Sequence, residues 1–325
     1  MRVLVTGGAG FIGSVTVAQL QERGHDVVVL DDLSRGHRDV VPSGVPLIEA
    51  DVAEPERYRD ALDGIDACVH FAASIEAGES MTRPEAFFSN NTAATLRLLE
   101  ALTAAGIRRF VLSSTAAVYG DPVRIPIAED DPTVPTNAYG ASKLLIEGAL
   151  QWLAQLRSMS CVALRYFNAA GATPERGEDH DPESHLIPLI LQVAAGSRDD
   201  IAIYGTDYDT PDGTTIRDYV HVLDLADAHR LALEATAPDD PRTAEPLLLN
   251  LGSGVGYSVR QILHGAERVI GRSVPHGYAD RRAGDPPVLV ASIDRPRQVL
   301  GWDPARSTLE EMIGSAWAER QAREL

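Results

Sequence analysis

The stretch Val3-Leu4-Val5-Thr6-Gly7-Gly8-Ala9-Gly10-Phe11-Ile12-Gly13 decides the fold of this chain. A short apolar strand runs into a glycine string, and a helix-compatible stretch follows as far as Arg23-Gly24. The spacing Gly8-x-Gly10-x-x-Gly13 fits the dinucleotide fingerprint, and the overlapping Gly7-x-x-Gly10-x-x-Gly13 fits a variant of it. Such glycines let the backbone approach a pyrophosphate at a helix N-terminus. The stretch therefore predicts a nucleotide-binding strand, loop and helix.

Short apolar runs alternate with helical stretches through the first half of the chain, which predicts a Rossmann-type, doubly wound parallel sheet of the α/β class. Leucine spacing predicts helices around Leu96 and Leu144, and a final helix is expected near residues 309–322. The predicted strands are Val3–Val5, Val27–Leu30, Leu47–Ile48, Ala67–Phe71, Phe110–Leu112 and Val162–Tyr166.

From about residue 172 the pattern changes, because long polar loops interrupt shorter elements. Asp239-Asp240-Pro241-Arg242 suggests an exposed connection within this part. We expect a nucleotide-binding domain over residues 1–171. Residues 172–325 are expected to form mainly a smaller α/β substrate-binding lobe, with segments that return to the first domain.

Composition limits the functions that the chain can have. With 325 residues and 44% apolar content, it can bury a sizeable core. A net charge of −18 argues against a nucleic-acid or anionic-membrane surface. Met1-Arg2 leads directly into the first strand and no run of about 18 apolar residues appears, so cytoplasmic residence is expected. Cys68 and Cys161 lie in apolar runs and are expected in the core.

Residues at the ends of the predicted strands indicate which dinucleotide is bound. Asp31-Asp32 ends the second strand, where an acidic residue receives a ribose 2′-hydroxyl. Its negative charge repels a 2′-phosphate, which favours NAD over NADP. Asp51-Val52 and Phe71-Ala72-Ala73 follow the third and fourth strands, and the small residues after Phe71 let the backbone approach the cofactor.

Tyr139 and Lys143 form a candidate catalytic pair, and Lys143 is the only lysine of the chain. Residues four apart in a helix are separated by about 40° around its axis and about 6 Å along it, so the two side chains can share one face. A charge at ~4 Å with an effective dielectric of ~20 is worth roughly 4 kcal/mol, or about three pKa units as a ceiling. We expect Lys143 to lower the pKa of Tyr139 enough for the phenol to act as a base near neutrality.

Three further blocks accompany the opening stretch and the Tyr139 motif. They are Ser113-Ser114-Thr115-Ala116-Ala117-Val118-Tyr119-Gly120, Arg165-Tyr166-Phe167-Asn168 and Arg217-Asp218-Tyr219-Val220-His221-Val222. With these blocks, nearly the whole chain resembles the extended short-chain dehydrogenase/reductase superfamily and, within it, the UDP-glucose 4-epimerase family. The resemblance implies NAD-dependent 4-epimerisation of a UDP-hexose, such as UDP-glucose or UDP-galactose, through a transient 4-keto sugar. The two domains are then NAD-binding and UDP-sugar-binding, and a homodimer is implied.

The resemblance also implies a role for each site residue. Tyr139 is the base, Lys143 holds the ribose and stabilises the phenolate, and Thr115 hydrogen-bonds the sugar hydroxyl. Arg217 and Arg282 are expected to grip the diphosphate. The implied cofactor contacts are Gly7, Gly10, Phe11, Ile12, Gly13, Asp31, Asp51, Val52, Phe71, Ala72, Ala73, Asn90, Ser113, Tyr139, Lys143 and Tyr166. The implied substrate contacts are Thr115, Asn168, His185, Leu186, Tyr204, Arg217, Arg282, Asp285 and Leu289.

Three positions depart from the family pattern. Ser74-Ile75-Glu76 lacks a lysine that some members place near the cofactor. His185 stands where an asparagine often contacts substrate, and a neutral imidazole there would donate one hydrogen bond. Leu289 lies at a position associated in some members with tolerance for N-acetyl groups. We expect no metal site, because metal-binding helix spacing with supporting carboxylates is absent from the sequence around His70, His180, His221 and His229.

Competing functions fit these residues less well or equally well. A 4,6-dehydratase of the same fold carries Asp-Glu after the threonine, whereas Ala116-Ala117 follows Thr115 here. A 4-epimerase of UDP-glucuronate or of a UDP-N-acetylhexosamine would preserve every residue discussed, so that alternative stays open. A non-catalytic NAD-sensing regulator is a remote alternative. Such modules can lose the tyrosine or the lysine, whereas this chain has both, together with Thr115.

Overall fold

A computed structural model describes residues 1–180, 182–238, 245–282 and 285–323 of the protein. The connection expected at Asp239-Asp240-Pro241-Arg242 lies outside these residues. The strands are β1 (Arg2–Thr6), β2 (Asp26–Asp31), β3 (Leu47–Glu49), β4 (Ala67–His70), β5 (Arg109–Thr115), β6 (Ser160–Tyr166), β7 (Asn168–Ala170), β8 (Ile201–Tyr204), β9 (Ile216–His221), β10 (Leu247–Leu251), β11 (Gly256–Ser258), β12 (His276–Ala279) and β13 (Val288–Leu289).

The helices alternate with these strands. They are α1 (Phe11–Glu22), α2 (Ala77–Ser80), α3 (Pro84–Phe87), α4 (Ala94–Ala104), α5 (Ala138–Arg157), α6 (Leu186–Ala195), α7 (Val222–Ala235), α8 (Val259–Ile270), α9 (Asp294–Leu300) and α10 (Leu309–Arg323). A π-helical stretch, Phe88–Ala93, joins α3 to α4, and short 3₁₀ turns occur at Arg38–Val40, Pro55–Arg57, Arg59–Leu62 and Ala116–Tyr119. In the described ranges, none of these helices combines the length and apolarity that crossing a membrane requires.

The main sheet has seven parallel strands among the described residues, in the order β10-β6-β5-β4-β1-β2-β3. Because the chain order reverses between β1 and β4, a crevice for a ligand opens at the carboxyl ends of these strands. The predicted doubly wound sheet is confirmed. Each predicted strand coincides with one of β1 to β6, except that β4 ends at His70 and leaves Phe71 in the loop.

Both faces of the main sheet are covered by helices, as a parallel sheet requires. Val3 and Val5 are buried on the face that α1 and α7 cover, whereas Leu4 is buried on the face that α4 and α5 cover. Cys68 and Cys161 are free thiols on this second face, in agreement with the expected core role. The alternation of side chains along β1 thus fixes both hydrophobic layers around the glycine loop.

The smaller lobe contains two further sheets and the helices α6, α8 and α10. β9 pairs with β7, β11 and β13, and β8 pairs with β12. Two segments after residue 171 return to the main sheet, because α7 packs on α1 and β10 pairs with β6. The division of the chain at residue 171 stays a prediction, and β7 shows that strand pairing with the lobe begins at Asn168.

Candidate active site

A cavity of about 740 Å³ opens at the carboxyl ends of the main-sheet strands. The loop after β1, Asp31 at the end of β2 and Phe71 after β4 contribute to its wall. Asn168 and Arg217 line the same cavity and come from strands of the smaller lobe. One continuous space therefore joins the residues predicted for the cofactor to residues predicted for the substrate.

Two glycines allow the loop after β1 to bind an anion. Gly7 has a φ of +68°, and a Cβ atom on it would lie 2.5 Å from the backbone nitrogen of Ala72. A Cβ atom on Gly13 would lie 2.1 Å from the carbonyl oxygen of Gly7, so only glycine lets α1 start this close to β1. α1 begins at Phe11 and, within the described residues, no side chain caps it. Its first N–H groups are thus available to a pyrophosphate.

The Asp31 carboxylate is held at the end of β2 by backbone amides. Its oxygens accept hydrogen bonds from the Ala9 N–H and the Leu33 N–H, each with a length of 2.9 Å. Burial raises the pKa of Asp31, and these two hydrogen bonds oppose the rise. A carboxylate has about four acceptor positions, so this one can accept ribose hydroxyls as well.

All the residues predicted to contact the cofactor line this cavity, including Asn90, whose side chain donates to the Ser74 hydroxyl at 3.0 Å. The predicted substrate residues divide into two groups. Those that line the cavity are Thr115, Asn168, His185, Arg217, Asp285 and Leu289. Leu186, Tyr204 and Arg282 are not among its lining residues, and the Arg282 guanidinium lies 4.0 Å from the centre of the Tyr204 ring. The roles of these residues stay predictions.

The N-terminal turn of α5 places the catalytic pair. The Asn137 side chain accepts a hydrogen bond of 2.8 Å from the Gly140 N–H, which caps the helix just before Tyr139. The Thr115 hydroxyl, at the end of β5, lies close enough to the Tyr139 phenol to act on its pKa. One turn further along, the buried Lys143 donates from Nζ to the Ser113 carbonyl oxygen at 3.0 Å. The three candidate catalytic residues therefore meet where α5 crosses the end of β5.

The protonation of this pair differs from the sequence-based expectation. Burial, together with the neighbouring Tyr166 phenol, raises the pKa of Tyr139 above its ordinary value, and the Thr115 hydroxyl opposes this. Burial also lowers the pKa of Lys143 to about 8, against the attraction of Glu147. The prediction that Lys143 makes Tyr139 acidic is therefore wrong for the protein by itself. The free-energy cost of desolvating a phenolate dominates at this position.

A buried ion pair lies beneath the catalytic pair. Arg165 of β6 donates three hydrogen bonds to the carboxylate of Glu147 on α5, at 3.0 Å and 3.2 Å from Nε and at 2.6 Å from Nη2. The Ser114 hydroxyl of β5 donates to the same carboxylate, at 2.6 Å. Only 5% of Glu147 and 3% of Arg165 are exposed. This network ties α5 to the two strands that carry Thr115 and Tyr166.

His185 lines the cavity, and its imidazole lies beside two carboxylates. Its Nδ1 lies 2.7 Å from Oε1 of Glu178 and 2.9 Å from Oε1 of Glu183. Burial alone would lower the pKa of His185, but the two carboxylates outweigh it and raise this pKa to about 10. His180, for which we expected a core or surface position, also lines the cavity.

Arg35 and Glu76 are cavity residues that sequence reasoning missed. They lie in the loops after β2 and β4, and Nη2 of Arg35 is 3.9 Å from Oε1 of Glu76. Arg35 thus places a cation beside the segment 74–76, which lacks the lysine of some members. In the sequence, the glycine that follows Arg35 could have indicated this position. A Cβ atom on Gly36 would lie 2.9 Å from the backbone of Ala9, so this residue must be small for its loop to approach the glycine loop.

The fold and the site define a dinucleotide-binding enzyme with a Tyr-x-x-x-Lys centre. A profile of the NAD dependent epimerase/dehydratase family matches residues 3–245. A UDP-glucose 4-epimerase of Corynebacterium glutamicum is 47% identical over 318 residues, which cover 98% of this chain and 95% of the relative. The chain belongs to the NAD dependent epimerase/dehydratase family and, within it, to the UDP-glucose 4-epimerases.

Solved structures give the same result for the fold. The crystal structure of UDP-glucose 4-epimerase from Brucella ovis in complex with NAD has a TM-score of 0.92 at 43% identity and covers 97% of both chains. The enzyme from Bifidobacterium longum, in complex with NAD⁺ and UDP, has a TM-score of 0.94 at 34% identity and covers 100% of this chain and 99% of that chain. The predicted family, fold and cofactor are confirmed.

The cofactor is NAD, and the cavity residues fit it. The loop from Gly7 to Gly13 has the close backbone approach that a pyrophosphate needs. Asp31 has free acceptor capacity for ribose hydroxyls and carries a charge that would repel a 2′-phosphate. Lys143 and Tyr139 line the same space and would hold the nicotinamide end.

Replacing Lys143 with methionine should change how stability depends on pH. The lysine has an ordinary pKa of 10.5 in the unfolded chain and about 8 in the folded protein. Between these values the unfolded chain binds more protons, so the free energy of unfolding of the wild type rises with pH, by up to about 3 kcal/mol. Urea titrations of both proteins at intervals from pH 7.5 to 10.5 measure this rise.

The comparison isolates one group, because the chain has no second lysine and the tyrosines titrate in both proteins. We expect the difference in unfolding free energy between wild type and Lys143→Met to grow in favour of the wild type as the pH rises. A difference that stays constant over this range would contradict the buried, partly deprotonated lysine.

Proposed function

We propose that the protein is an isomerase that interconverts UDP-glucose and UDP-galactose by NAD-dependent inversion at C4, through a transient 4-keto sugar. The convergence of Thr115, Tyr139 and Lys143 on one cavity carries this proposal. That cavity has the glycine loop in one part of its wall and Arg217 in another. The relatives that match this arrangement along nearly their whole length are UDP-glucose 4-epimerases.

The described side chains supply the proton transfer. The Tyr139 phenolate takes the proton of the 4-hydroxyl and later returns it, and Thr115 hydrogen-bonds the sugar oxygen while it becomes a carbonyl. The Lys143 ammonium, buried one helical turn from Tyr139, favours the ionised phenol. Bound NAD supplies a hydride acceptor that gives the hydride back, so no net oxidation results.

Inversion at C4 requires the sugar to turn while the nucleotide stays fixed, so binding free energy must come from the nucleotide. Arg217 is suited to hold the diphosphate. Its guanidinium donates to Asp285 at 2.8 Å and to the Ile216 carbonyl oxygen at 2.9 Å, and a guanidinium has five N–H donors in all. Arg217 therefore has donors left for a ligand, and it lines the cavity together with Asn168 and Leu289.

A neutral hexose suits the charges of the cavity better than a uronate. Apart from histidines, the cationic side chains that line the cavity within the described ranges are Arg35, Lys143, Arg217 and Arg323. Each of them already pairs with a carboxylate or a carbonyl oxygen. With the remaining Arg217 donors assigned to the diphosphate, the carboxylate of a uronic acid would have to compete with these existing partners, at a cost in desolvation. This supports UDP-glucose and UDP-galactose as the substrates.

The reaction should proceed in D₂O without deuterium entering C4. Because the hydrogen at C4 leaves and returns as hydride on the cofactor, it does not exchange with solvent. We expect incubation of the purified protein with UDP-galactose in D₂O, without added reductant, to give UDP-glucose that keeps protium at C4. Proton NMR of the H4 signal and mass spectrometry of the product measure this.

Parallel incubations with UDP-N-acetylglucosamine and UDP-glucuronate test the substrate. Inversion of UDP-glucuronate at a higher kcat/KM than UDP-galactose would contradict the charge argument. Deuterium at C4 would contradict the hydride route, and absence of inversion with all three nucleotides would overturn the proposed function.

We infer that two chains form a homodimer through α4 and α5. Leu145, Trp152 and Leu156 on α5 are 56%, 65% and 69% exposed, and spacings of seven and four residues put them on one helical face. Leu96 on the adjacent α4 is 44% exposed. An apolar patch of this kind marks a protein interface more often than a free surface. Cytoplasmic residence stays a prediction from the sequence.

Trp152→Glu should produce a monomer, since it puts a charge in the middle of this patch. We expect the dimer dissociation constant to rise at least about 30-fold, the size of an interface hot spot of about 2 kcal/mol. Light scattering after size exclusion gives the mass of each species over a concentration series. Val299→Glu on α9, where the valine is 47% exposed, serves as the control and should leave the dimer intact. A monomeric wild type, or a dimeric Trp152→Glu variant, would refute this interface.

A further inference from the structure

Four side chains with metal-ligand chemistry converge in the segment that connects β7 to α6. They are Glu178, His180, Glu183 and His185, and one ligand atom from each lies within 4.8 Å of the others. The described residues of this segment are not helical, so the spacing of ligands along a helix does not apply to them. The sequence interval, with ligands at the first, third, sixth and eighth positions of eight residues, is compact enough for one ion.

Three of the distances within the cluster are close to those around a bound zinc ion, and all its ligand atoms lie within 4.8 Å of one another. Nδ1 of His185 lies 2.7 Å and 2.9 Å from the two carboxylates, and Nδ1 of His180 lies 3.2 Å from Oε1 of Glu178. Tetrahedral zinc with bonds of about 2.0 Å separates its ligand atoms by roughly 3.3 Å. Outward movements of about half an ångström or less would therefore bring these nitrogen–oxygen pairs to coordination distance.

The cluster is partly buried, and one of its nitrogens makes no hydrogen bond. The Glu178 and Glu183 side chains are 9% and 5% exposed, whereas those of His180 and His185 are 21% and 40% exposed. Within the part of the chain that the structure describes, the buried Nδ1 of His180 makes no hydrogen bond of acceptable geometry, although Oε1 of Glu178 is only 3.2 Å away. This nitrogen thus lies beside a carboxylate without a hydrogen bond to it, as expected of two groups that could share a bound cation.

We propose that Glu178, His180, Glu183 and His185 bind one divalent transition-metal ion, with Zn²⁺ the best match. Two imidazole nitrogens and two carboxylate oxygens are ligands that zinc accepts in tetrahedral geometry, whereas Mg²⁺ and Ca²⁺ prefer oxygen alone. Four protein ligands leave no open position, so the ion has a structural role.

The place of this site in the fold indicates what the ion stabilises. The segment leads directly into α6, which begins at Leu186, and Glu178, His180 and His185 line the cavity. Gly177 packs against α10, where a Cβ atom would lie 2.4 Å from Oε2 of Glu319. A bound ion would hold this part of the cavity wall as one unit between α10 and α6.

A proton on His185 could hold the cluster together in place of a metal ion. One N–H of a protonated His185 can lie between the Glu178 and Glu183 carboxylates and hold them together without a metal. A metal ion must displace this proton, because it binds the deprotonated imidazole. The two occupants therefore differ in metal content and in the spectrum of a substituted ion, and these are the quantities to measure.

The test uses the full chain with bound NAD and without an affinity tag. After incubation with ZnCl₂ and dialysis against metal-free buffer, we expect elemental analysis to find one zinc per chain. Replacement with Co²⁺ should give the intense visible absorption bands of a tetrahedral site. His180→Ala and Glu183→Gln should each weaken binding at least about tenfold, the scale for losing part of a metal site. His264→Ala, on the exposed face of α8, is the matched control and should bind as the wild type does.

Three results would overturn the proposal. They are a wild type that retains no zinc after dialysis, a weak octahedral Co²⁺ spectrum, and equal metal retention in wild type, His180→Ala and Glu183→Gln. The last result would identify an adventitious ion bound elsewhere. The wild-type stoichiometry and spectrum decide the question even where a variant fails to fold.

Discussion

One buried carboxylate, that of Glu147, fixes the position of the catalytic helix relative to the main sheet. Glu147 lies one turn beyond Lys143 on α5 and accepts hydrogen bonds from Arg165 of β6 and Ser114 of β5. Removing one partner of such a buried pair leaves an uncompensated charge and typically costs about 3–5 kcal/mol. Because α5 is attached to both strands through this carboxylate, Tyr139 lies beside Thr115 at the carboxyl end of β5. The rest of the site depends on that docking.

Burial acts on the two catalytic groups in opposite directions. It raises the pKa of Tyr139 and lowers the pKa of Lys143 to about 8, so both groups are driven towards their neutral forms. The protein alone is therefore a poor environment for a phenolate. The positive charge of oxidised nicotinamide would favour the phenolate and the reduced form would not. This environment thus couples proton uptake by Tyr139 to the step in which the sugar is oxidised.

The sequence predicted those parts of the fold that short-range constraints determine. Apolar runs placed the first six strands, and the glycine spacing identified the loop where a Cβ on Gly13 would collide with Gly7. The rise in the pKa of Tyr139 was missed, because it depends on burial by residues from other elements. The convergence of Glu178 with His185 was also missed, because the described residues of that segment are not helical and no periodicity reveals their geometry.

The central claim is that Tyr139 moves the proton of the sugar hydroxyl, and the Tyr139→Phe variant tests it most directly. This variant keeps the ring and its edge-on contact with Phe87 but loses the hydroxyl. We expect kcat for inversion of UDP-galactose to fall by at least about 1,000-fold, within the range for losing a general base. Bound NAD, measured after denaturation, and UDP affinity, measured by calorimetry, should stay at wild-type levels. A variant that retains both ligands and turns over within tenfold of the wild type would contradict the account.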